Sequence, residues 1–166
     1  LTIQAGRSVL VNANITTDNG NLTLKANETN ANGAVNQRDS GAAAITLASG
    51  TTINVGTGVF TASMDTGAGK TNTNSGDITL SNVTAGSLVV NNGGNTSGSD
   101  ILDNGVLTIA GTSSFTTSVS NADITLDSAN AFTGAVTINT TGTTANALID
   151  NGTTALNIAA SSVGGN

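Results

Sequence analysis

Short runs in which apolar and polar residues alternate recur along the whole chain. The clearest is Gly76-Asp77-Ile78-Thr79-Leu80-Ser81, and its central triplet occurs in eight diverged copies. Because successive side chains of a strand point to opposite faces, the flanking apolar residues are predicted to face a core and the central Thr to face solvent. The copies are Leu1-Thr2-Ile3, Leu22-Thr23-Leu24, Ile45-Thr46-Leu47, Ile78-Thr79-Leu80, Leu107-Thr108-Ile109, Ile124-Thr125-Leu126, Val136-Thr137-Ile138 and Leu156-Asn157-Ile158.

The spacing of these copies indicates a repeat architecture. Their first residues are 21, 23, 33, 29, 17, 12 and 20 positions apart. The average of about 22 lies in the range that is typical of solenoids and arrays. A strand of this length cannot bury a face by itself, but stacked copies would form a continuous apolar column.

The stretch from residue 45 to residue 63 is the most informative about connectivity. Three alternating runs, at 45–48, 52–55 and 59–63, are separated by only Ser49-Gly50-Thr51 and Gly56-Thr57-Gly58. Such gaps could form the hairpins of an antiparallel sandwich, which is the alternative fold. Three strands joined by sharp polar corners also describe one turn of a triangular parallel β-helix. No window shows a period of 3.6 residues, so the predicted fold class is all-β: a right-handed parallel β-helix, or β-solenoid, of about seven to eight coils.

Polar segments interrupt the alternating pattern in three places. Residues 27–41, 65–75 and 92–105 are rich in Asn, Gly, Ser or Thr and are predicted to be protruding polar loops. Residues 1–166 are predicted to form a single β-helix segment. The chain lacks an initiating Met and begins inside a strand motif, so we expect it to be part of a longer chain.

The composition supports a thin aliphatic core and excludes several kinds of chemistry. The chain has 21 Gly, three Phe and no Pro, Cys, His, Trp or Tyr, while 37% of its residues are hydrophobic. A packed sandwich of this size normally carries more large aromatic residues in its core. The absence of Cys rules out disulfides and thiol chemistry. No run approaches the 18 apolar residues of a membrane helix, so membrane insertion is not expected.

Charge further narrows the range of partners. Only 8% of the residues are charged, and the net charge is −6. The four basic residues, Arg7, Lys25, Arg38 and Lys70, are far apart in the sequence. They do not form the Lys/Arg footprint that binding to nucleic acid or to an anionic membrane requires, so neither partner is expected.

Several repeats resemble those of a known family. Gly20-Asn21-Leu22-Thr23-Leu24-Lys25-Ala26, Gly50-Thr51-Thr52-Ile53-Asn54 and Gly76-Asp77-Ile78-Thr79-Leu80-Ser81 are similar to the repeats of filamentous haemagglutinin-type bacterial adhesins. The resemblance implies a right-handed β-helical shaft in a large exported surface protein, delivered by two-partner secretion or autotransport. The amino-terminal secretion domain and any receptor-binding domain of that family are absent from this sequence.

Candidate catalytic chemistry is limited to the carboxylates. Asp77 and Asp123 occupy the same place in their motifs, 46 positions apart. If that distance equals two coils, they lie on one face about 9–10 Å apart, close to the separation in an inverting glycosidase. No aromatic platform accompanies them, so the chain is predicted not to be an enzyme. A carbohydrate-active or carbohydrate-binding β-helix is the alternative function.

Four acidic residues are weak candidates for a structural calcium site. Asp100 with Asp103, and Asp123 with Asp127, could supply oxygen ligands. Neither pair follows the spacing of an EF-hand, and the calcium-binding nonapeptide of some β-helices is absent. The sequence therefore predicts no obligatory cofactor.

These observations together predict a structural role. We expect a shaft segment of an extracellular bacterial adhesin or surface filament, located at the cell surface and mediating adhesion or cell-surface structure. Strand motifs at both ends of the chain would leave the ends of the β-helix uncovered. The expected partners are therefore neighbouring coils of a longer chain or end-to-end copies of the same chain, together with host or cell-surface glycans.

Overall fold

The computed structural model describes residues 1–31 and 37–166, and the loop expected at 27–41 therefore lies partly outside the described residues. Within these ranges the chain forms short strands and no helix, so no helix there could cross a membrane. The strands, in chain order, are β1 Thr2–Gln4, β2 Val9–Val11, β3 Ile15–Thr16, β4 Leu22–Ala26, β5 Ala43–Leu47, β6 Thr52–Asn54, β7 Val59–Met64, β8 Ser75–Leu80, β9 Asn82–Ala85, β10 Ser87–Asn92, β11 Ile101–Asp103, β12 Leu107–Ile109, β13 Ser113–Ser120, β14 Ile124–Leu126, β15 Ala131–Phe132, β16 Ala135–Thr141, β17 Ala147–Ile149 and β18 Asn157–Ile158.

The strands form three parallel sheets that the chain visits in turn. Sheet A has the order β1-β4-β7-β10-β13-β16-β18, sheet B runs from β2 through β5, β8, β11 and β14 to β17, and sheet C runs from β3 through β6, β9 and β12 to β15. Each strand from β1 to β14 pairs in parallel with the strand three places later, which is the topology of a triangular β-helix, and β16 pairs with β18. The fold class is confirmed, and the seven strands of sheet A agree with the expected number of coils. The right-handed sense stays a prediction.

The three closely spaced runs at 45–63 form one turn of this β-helix. They correspond to β5, β6 and β7, which lie in sheets B, C and A respectively. None of the three pairs with the strand that follows it along the chain. The alternative fold, an antiparallel sandwich of hairpins, is therefore wrong.

The distribution of the repeated triplet differs from the expectation of one copy per coil. Its eight copies lie in β1, β4, β16 and β18 of sheet A, β5, β8 and β14 of sheet B, and β12 of sheet C. Spacings such as 12 and 17 therefore measure parts of a coil. The true repeat is given by paired residues: Thr2 pairs with Thr23, 21 positions later, Leu22 pairs with Phe60, 38 positions later, and Ile101 pairs with Ile124, 23 positions later.

Alternation along the strands places the core as predicted. The six apolar residues of the β8, β12 and β14 triplets, Ile78, Leu80, Leu107, Ile109, Ile124 and Leu126, are fully buried. Thr79 and Thr125 are partly exposed and Thr108 is exposed. All three Phe side chains are also buried, and the rings of Phe115 and Phe132 meet edge to face with centroids 5.7 Å apart. A one-residue change of register would reverse every one of these positions.

A column of glycines forms the corner between sheet C and sheet A. We call Gly20, Gly58, Gly86, Gly111 and Gly134 the glycine column, because each precedes a sheet A strand by one or two residues. The Gly86 N–H donates to the Gly58 carbonyl at 2.8 Å, and the Gly111 N–H donates to the Gly86 carbonyl at 2.6 Å. Backbones approach so closely here that a Cβ at Gly58 would lie 2.8 Å from the Gly20 carbonyl oxygen. The column permits a sharp corner in every coil.

One predicted loop contains a strand. Residues 92–105 were expected to be a loop, but β11 occupies 101–103 and pairs with both β8 and β14. The alternating pattern is hidden there because Asp103 stands at the inward position that pairs with Leu80. The loop therefore ends at Asp100.

Candidate functional site

All the long loops leave the β-helix at one corner. The connections from sheet A to sheet B, which we call the loop corner, comprise 27–42, 65–74 and 93–100 in three successive coils. The connections from sheet C to sheet A have no comparable length. Loops that a rigid scaffold holds side by side are where binding residues are most often found. The loop corner is therefore the first candidate for a functional surface.

Hydrogen bonds between coils hold the neighbouring loops together. The buried Asn27 amide donates to the carbonyls of Asp65 and Thr73 at 2.9 and 2.8 Å. The Thr29 hydroxyl donates to the Asp65 carboxylate at 3.0 Å, and the Asn95 amide donates to the Thr66 carbonyl at 3.0 Å. The three loops therefore form one continuous surface.

Asp65 is fixed within this network. Partial burial pushes the pKa of its carboxyl upward, but N–H groups of Thr66 and Thr29 and the Thr29 hydroxyl donate to the carboxylate and hold the pKa below its ordinary value. Lys25 acts in the same direction. These contacts favour the ionised form, so Asp65 stabilises the loop corner as a charged acceptor.

A second feature of this corner is a column of three aspartates at its edge with sheet B. The aspartate column comprises Asp77, Asp100 and Asp123, which precede paired residues of β8, β11 and β14. The Asp100 N–H donates to the Asp77 carboxylate at 3.0 Å, and the Asp123 N–H donates to the Asp100 carboxylate at 2.8 Å. Asn146 continues the pattern by donating its N–H to Asp123 at 2.7 Å. Each carboxylate therefore satisfies a backbone donor of the next coil.

The column changes the interpretation of Asp77 and Asp123. They lie two coils apart in register, as expected, but Asp100 stands between them. A substrate could not enter between the two carboxylates as it does in an inverting glycosidase. The absence of catalysis stays a prediction. The sequence carried a signal for this column, because Asp77, Asp100, Asp123 and Asn146 follow one another at intervals of 23.

The pKa of the Asp100 carboxyl is raised, first by burial and then by the charges stacked on either side of it. Burial raises the pKa of the Asp100 carboxyl, the Asp123 N–H opposes this shift, and the charges of Asp77 and Asp123 add to it. A raised pKa means that the folded protein binds this proton more tightly than the unfolded chain does. The unfavourable contribution of Asp100 is therefore present above its folded-state pKa and disappears as the pH falls through that value.

Replacing Asp100 with asparagine should stabilise the protein at neutral pH. The amide oxygen can still accept the Asp123 N–H, while the repulsion is removed. We expect the free energy of unfolding at pH 7 to rise by about 0.2–1 kcal/mol, because solvent screens these partly exposed charges. Urea denaturation at a series of pH values should show this gain shrinking as the pH falls toward about 4. An equal gain from Asp18→Asn, which removes an exposed charge outside the column, would contradict the argument.

The four calcium candidates do not converge on one place. Asp100 and Asp123 lie before their strands, whereas Asp103 and Asp127 lie at or after the other ends of the same strands. Burial raises the pKa of Asp103, although its oxygens accept hydrogen bonds from the Asn130 amide and from the N–H groups of Ser128 and Asp127. No group of three or more acidic side chains suited to a metal ion occurs among the described residues. The four acidic residues remain weak candidates for calcium, and their positions do not favour a shared site.

The basic residues gather at the loop corner. Arg7 lies in the first connection between sheets A and B, Lys25 is the second-last residue of β4, and Arg38 and Lys70 belong to the first two long loops. These are all four basic residues of the chain. This grouping could not be predicted from the sequence. Insertions of different lengths bring together residues that no repeat interval relates. The corner thus holds all four basic residues, next to Asp65 and the aspartate column.

Comparison with known proteins gives one match. A family model described as repeats of unknown function (DUF5649) matches residues 66–139. The matched segment begins after β7 and ends within β16. Neither the curated proteins nor the solved structures yield a match. The findings support a repeat protein with the architecture of a β-solenoid.

Proposed function

We propose that this chain is a structural shaft segment of an extracellular bacterial adhesin or surface filament, where it mediates adhesion or builds cell-surface structure. The observation that carries the proposal is the division of the molecule into two parts. Three regular sheets form the β-helix, and the long loops leave it at a single corner. A scaffold of this kind keeps its shape while its loops face outward. The resemblance of its repeats to those of filamentous haemagglutinin-type adhesins supports the same role.

Further support comes from how the coils hold each other. Side chains of the aspartate column and asparagines at other corners satisfy backbone donors of the adjacent coil; for example, Asn21 accepts the Val59 N–H at 2.9 Å and Asn130 accepts the Leu107 N–H at 2.8 Å. Such bonds add to the sheet ladders at the places where the ladders are interrupted. A shaft needs this resistance to local opening along its length.

The proposed partners are further coils, of a longer chain or of other copies. Each outermost strand, such as β1 and β18 in sheet A, pairs on one side only within the described chain. Apolar side chains lie exposed nearby, among them Leu1, Leu10, Leu148 and Ile158. Unpaired strand edges readily accept additional strands. Cell-surface glycans are proposed to meet the loop corner rather than the flat sheets.

Localisation on intact cells tests this proposal. Antibodies raised against the folded chain should label unpermeabilised cells of the bacterium that produces it, because an exported shaft is accessible from outside. The expected result is equal labelling before and after permeabilisation, measured by flow cytometry. A cytoplasmic protein serves as the control for membrane integrity. Labelling that appears only after permeabilisation would contradict an extracellular role.

A further inference from the structure

A cavity at the loop corner brings two arginines together. It has a volume of about 340 Å³ and is lined by Gly6, Arg7, Ala31, Gln37, Arg38 and Asp39. That volume lies within the range of small-molecule sites, about 300–1,000 Å³. Arg7 and Arg38 are two of only four basic residues in a chain with a net charge of −6. Their convergence on one cavity therefore calls for a physical reason.

Arg38 is held rigidly at the wall of this cavity. The residue is only 9% exposed, with Nη1 donating to the Asn27 amide oxygen at 3.0 Å and Nη2 donating to the Glu28 carbonyl at 2.7 Å. Its backbone N–H donates to the Thr71 hydroxyl, and its carbonyl accepts from the Asn72 amide. A guanidinium fixed in this way has already lost its conformational entropy before any ligand arrives.

Arg7 is positioned from the neighbouring coil. Its guanidinium lies so close to Gly41 that a Cβ there would be 2.6 Å from Nη2, so the glycine leaves the space that the arginine fills. On the other side, the Arg38 guanidinium lies beside Gly6, with its Cζ 3.8 Å from the place of a Cβ, which is ordinary contact. Gly41 therefore makes room for Arg7 at the cavity that Arg38 also lines.

Neither arginine has an anionic partner among the residues that the structure describes. The ion pair found there joins Lys25 to Glu28 at 3.7 Å. The Nε atoms of Arg7 and Arg38 are both buried and lack a hydrogen-bond acceptor. Two neighbouring cations without an anionic partner repel each other, and a ligand with negative charge in the cavity would relieve that repulsion.

We propose that this cavity, the arginine pocket, binds a small hydroxylated carboxylate of the kind found in acidic sugars. The two guanidiniums would bind the carboxylate, since their planar N–H groups match its two oxygens. The Gln37 amide and the Asp39 carboxylate also line the cavity. The amide would donate to and accept from hydroxyl groups of the ligand, and the carboxylate would accept from them. One acidic and two basic side chains leave a single positive charge, which fits a monoanion. This site goes beyond the shaft role and does not depend on it.

Binding of D-glucuronate to the full chain tests the pocket. Isothermal titration at fixed ionic strength should show saturable binding at one site, and D-glucose, which lacks the carboxylate, should not bind. Arg7→Gln should weaken glucuronate binding at least about tenfold, because a charge-assisted pair is lost. Lys25→Gln removes the same charge from the same corner outside the cavity and should change the affinity less than about twofold.

Three outcomes would overturn the proposal. They are no saturable glucuronate binding, equal weakening by Arg7→Gln and Lys25→Gln, and binding of inorganic phosphate as tight as that of glucuronate. Equally tight binding of phosphate would show that Gln37 and Asp39 do not recognise hydroxyl groups. Circular dichroism confirms that each variant is folded. Arg38→Gln also breaks bonds to Asn27 and Glu28, so the test is carried by Arg7→Gln, whose guanidinium makes no such bonds within the described residues.

Discussion

Replacing Ile124 with aspartate is expected to lower the free energy of unfolding by more than about 3 kcal/mol, because it places an unpaired charge in the core. Ile124 is fully buried in β14, the second-last strand of sheet B, between Ile101 and Ala147 of the adjoining coils. Neither neighbour offers a hydrogen-bond donor from its side chain. Urea denaturation followed by circular dichroism should show a much lower midpoint or no folded state at pH 7.

The matched control places the same substituent one residue later. Thr125 lies on the outward face of the same strand, paired with Leu102 and Leu148, and is partly exposed. Thr125→Asp should cost less than about 1 kcal/mol, since water still solvates the carboxylate and only like-charge repulsion from nearby acids is added. If Thr125→Asp were the more damaging change, the assignment of the inward and outward faces would be wrong.

Replacing Gly86 with alanine should lower the free energy of unfolding by about 2 kcal/mol or more, since the added methyl group overlaps backbone atoms. A Cβ at this position would lie 2.6 Å from the carbonyl carbon and 3.0 Å from the Cα of Thr57, and it would overlap the carbonyl oxygen. Backbone of the previous coil cannot move aside without lengthening the hydrogen bond from the Gly86 N–H to the Gly58 carbonyl. Thermal unfolding measures the effect.

The first member of the glycine column provides the control. At Gly20 the nearest atom to an added Cβ is the Thr17 Cβ at 3.9 Å, which is ordinary contact. Gly20→Ala should therefore change the free energy of unfolding by less than about 1 kcal/mol. Similar losses from both variants would mean that the column is required for backbone freedom and not for close approach between coils.

The strands could be predicted because the alternation of apolar and polar residues that defines them is a local property of the sequence. Alternation in Ile78-Thr79-Leu80 and Ile124-Thr125-Leu126 decides which side chains face the core, and this agrees with their burial. The assignment of strands to sheets could not be obtained in this way, since the same triplet serves all three sheets. What distinguishes a corner is a contact between coils, such as the approach of Gly111 to Gly86.

The same distinction between a sequence pattern and a contact between coils applies to the candidate sites. Asp77, Asp100 and Asp123 share a spacing of 23, so a repeat interval relates them, although sequence analysis joined Asp100 to Asp103 instead. Arg7 and Arg38 share no such interval, because the strands before them, β1 and β4, pair 21 positions apart, whereas the strands after them, β2 and β5, pair 36 positions apart. Their meeting depends on where residues 37–39 lie against the connection between β1 and β2. No pattern in one sequence encodes that contact.

The restriction of long insertions to one corner has a consequence for how such proteins change over time. Leu22 and Phe60 are paired across a coil of 38 residues as regularly as Ile101 and Ile124 are across 23. Strand pairing in the sheets therefore does not depend on the length of the insertion at that corner. A whole coil could be duplicated or deleted in the gene without disturbing its neighbours. Length and loop content can thus vary independently. The loops could thus change while the scaffold is inherited unchanged, and a protein engineer could graft foreign peptides at the same place.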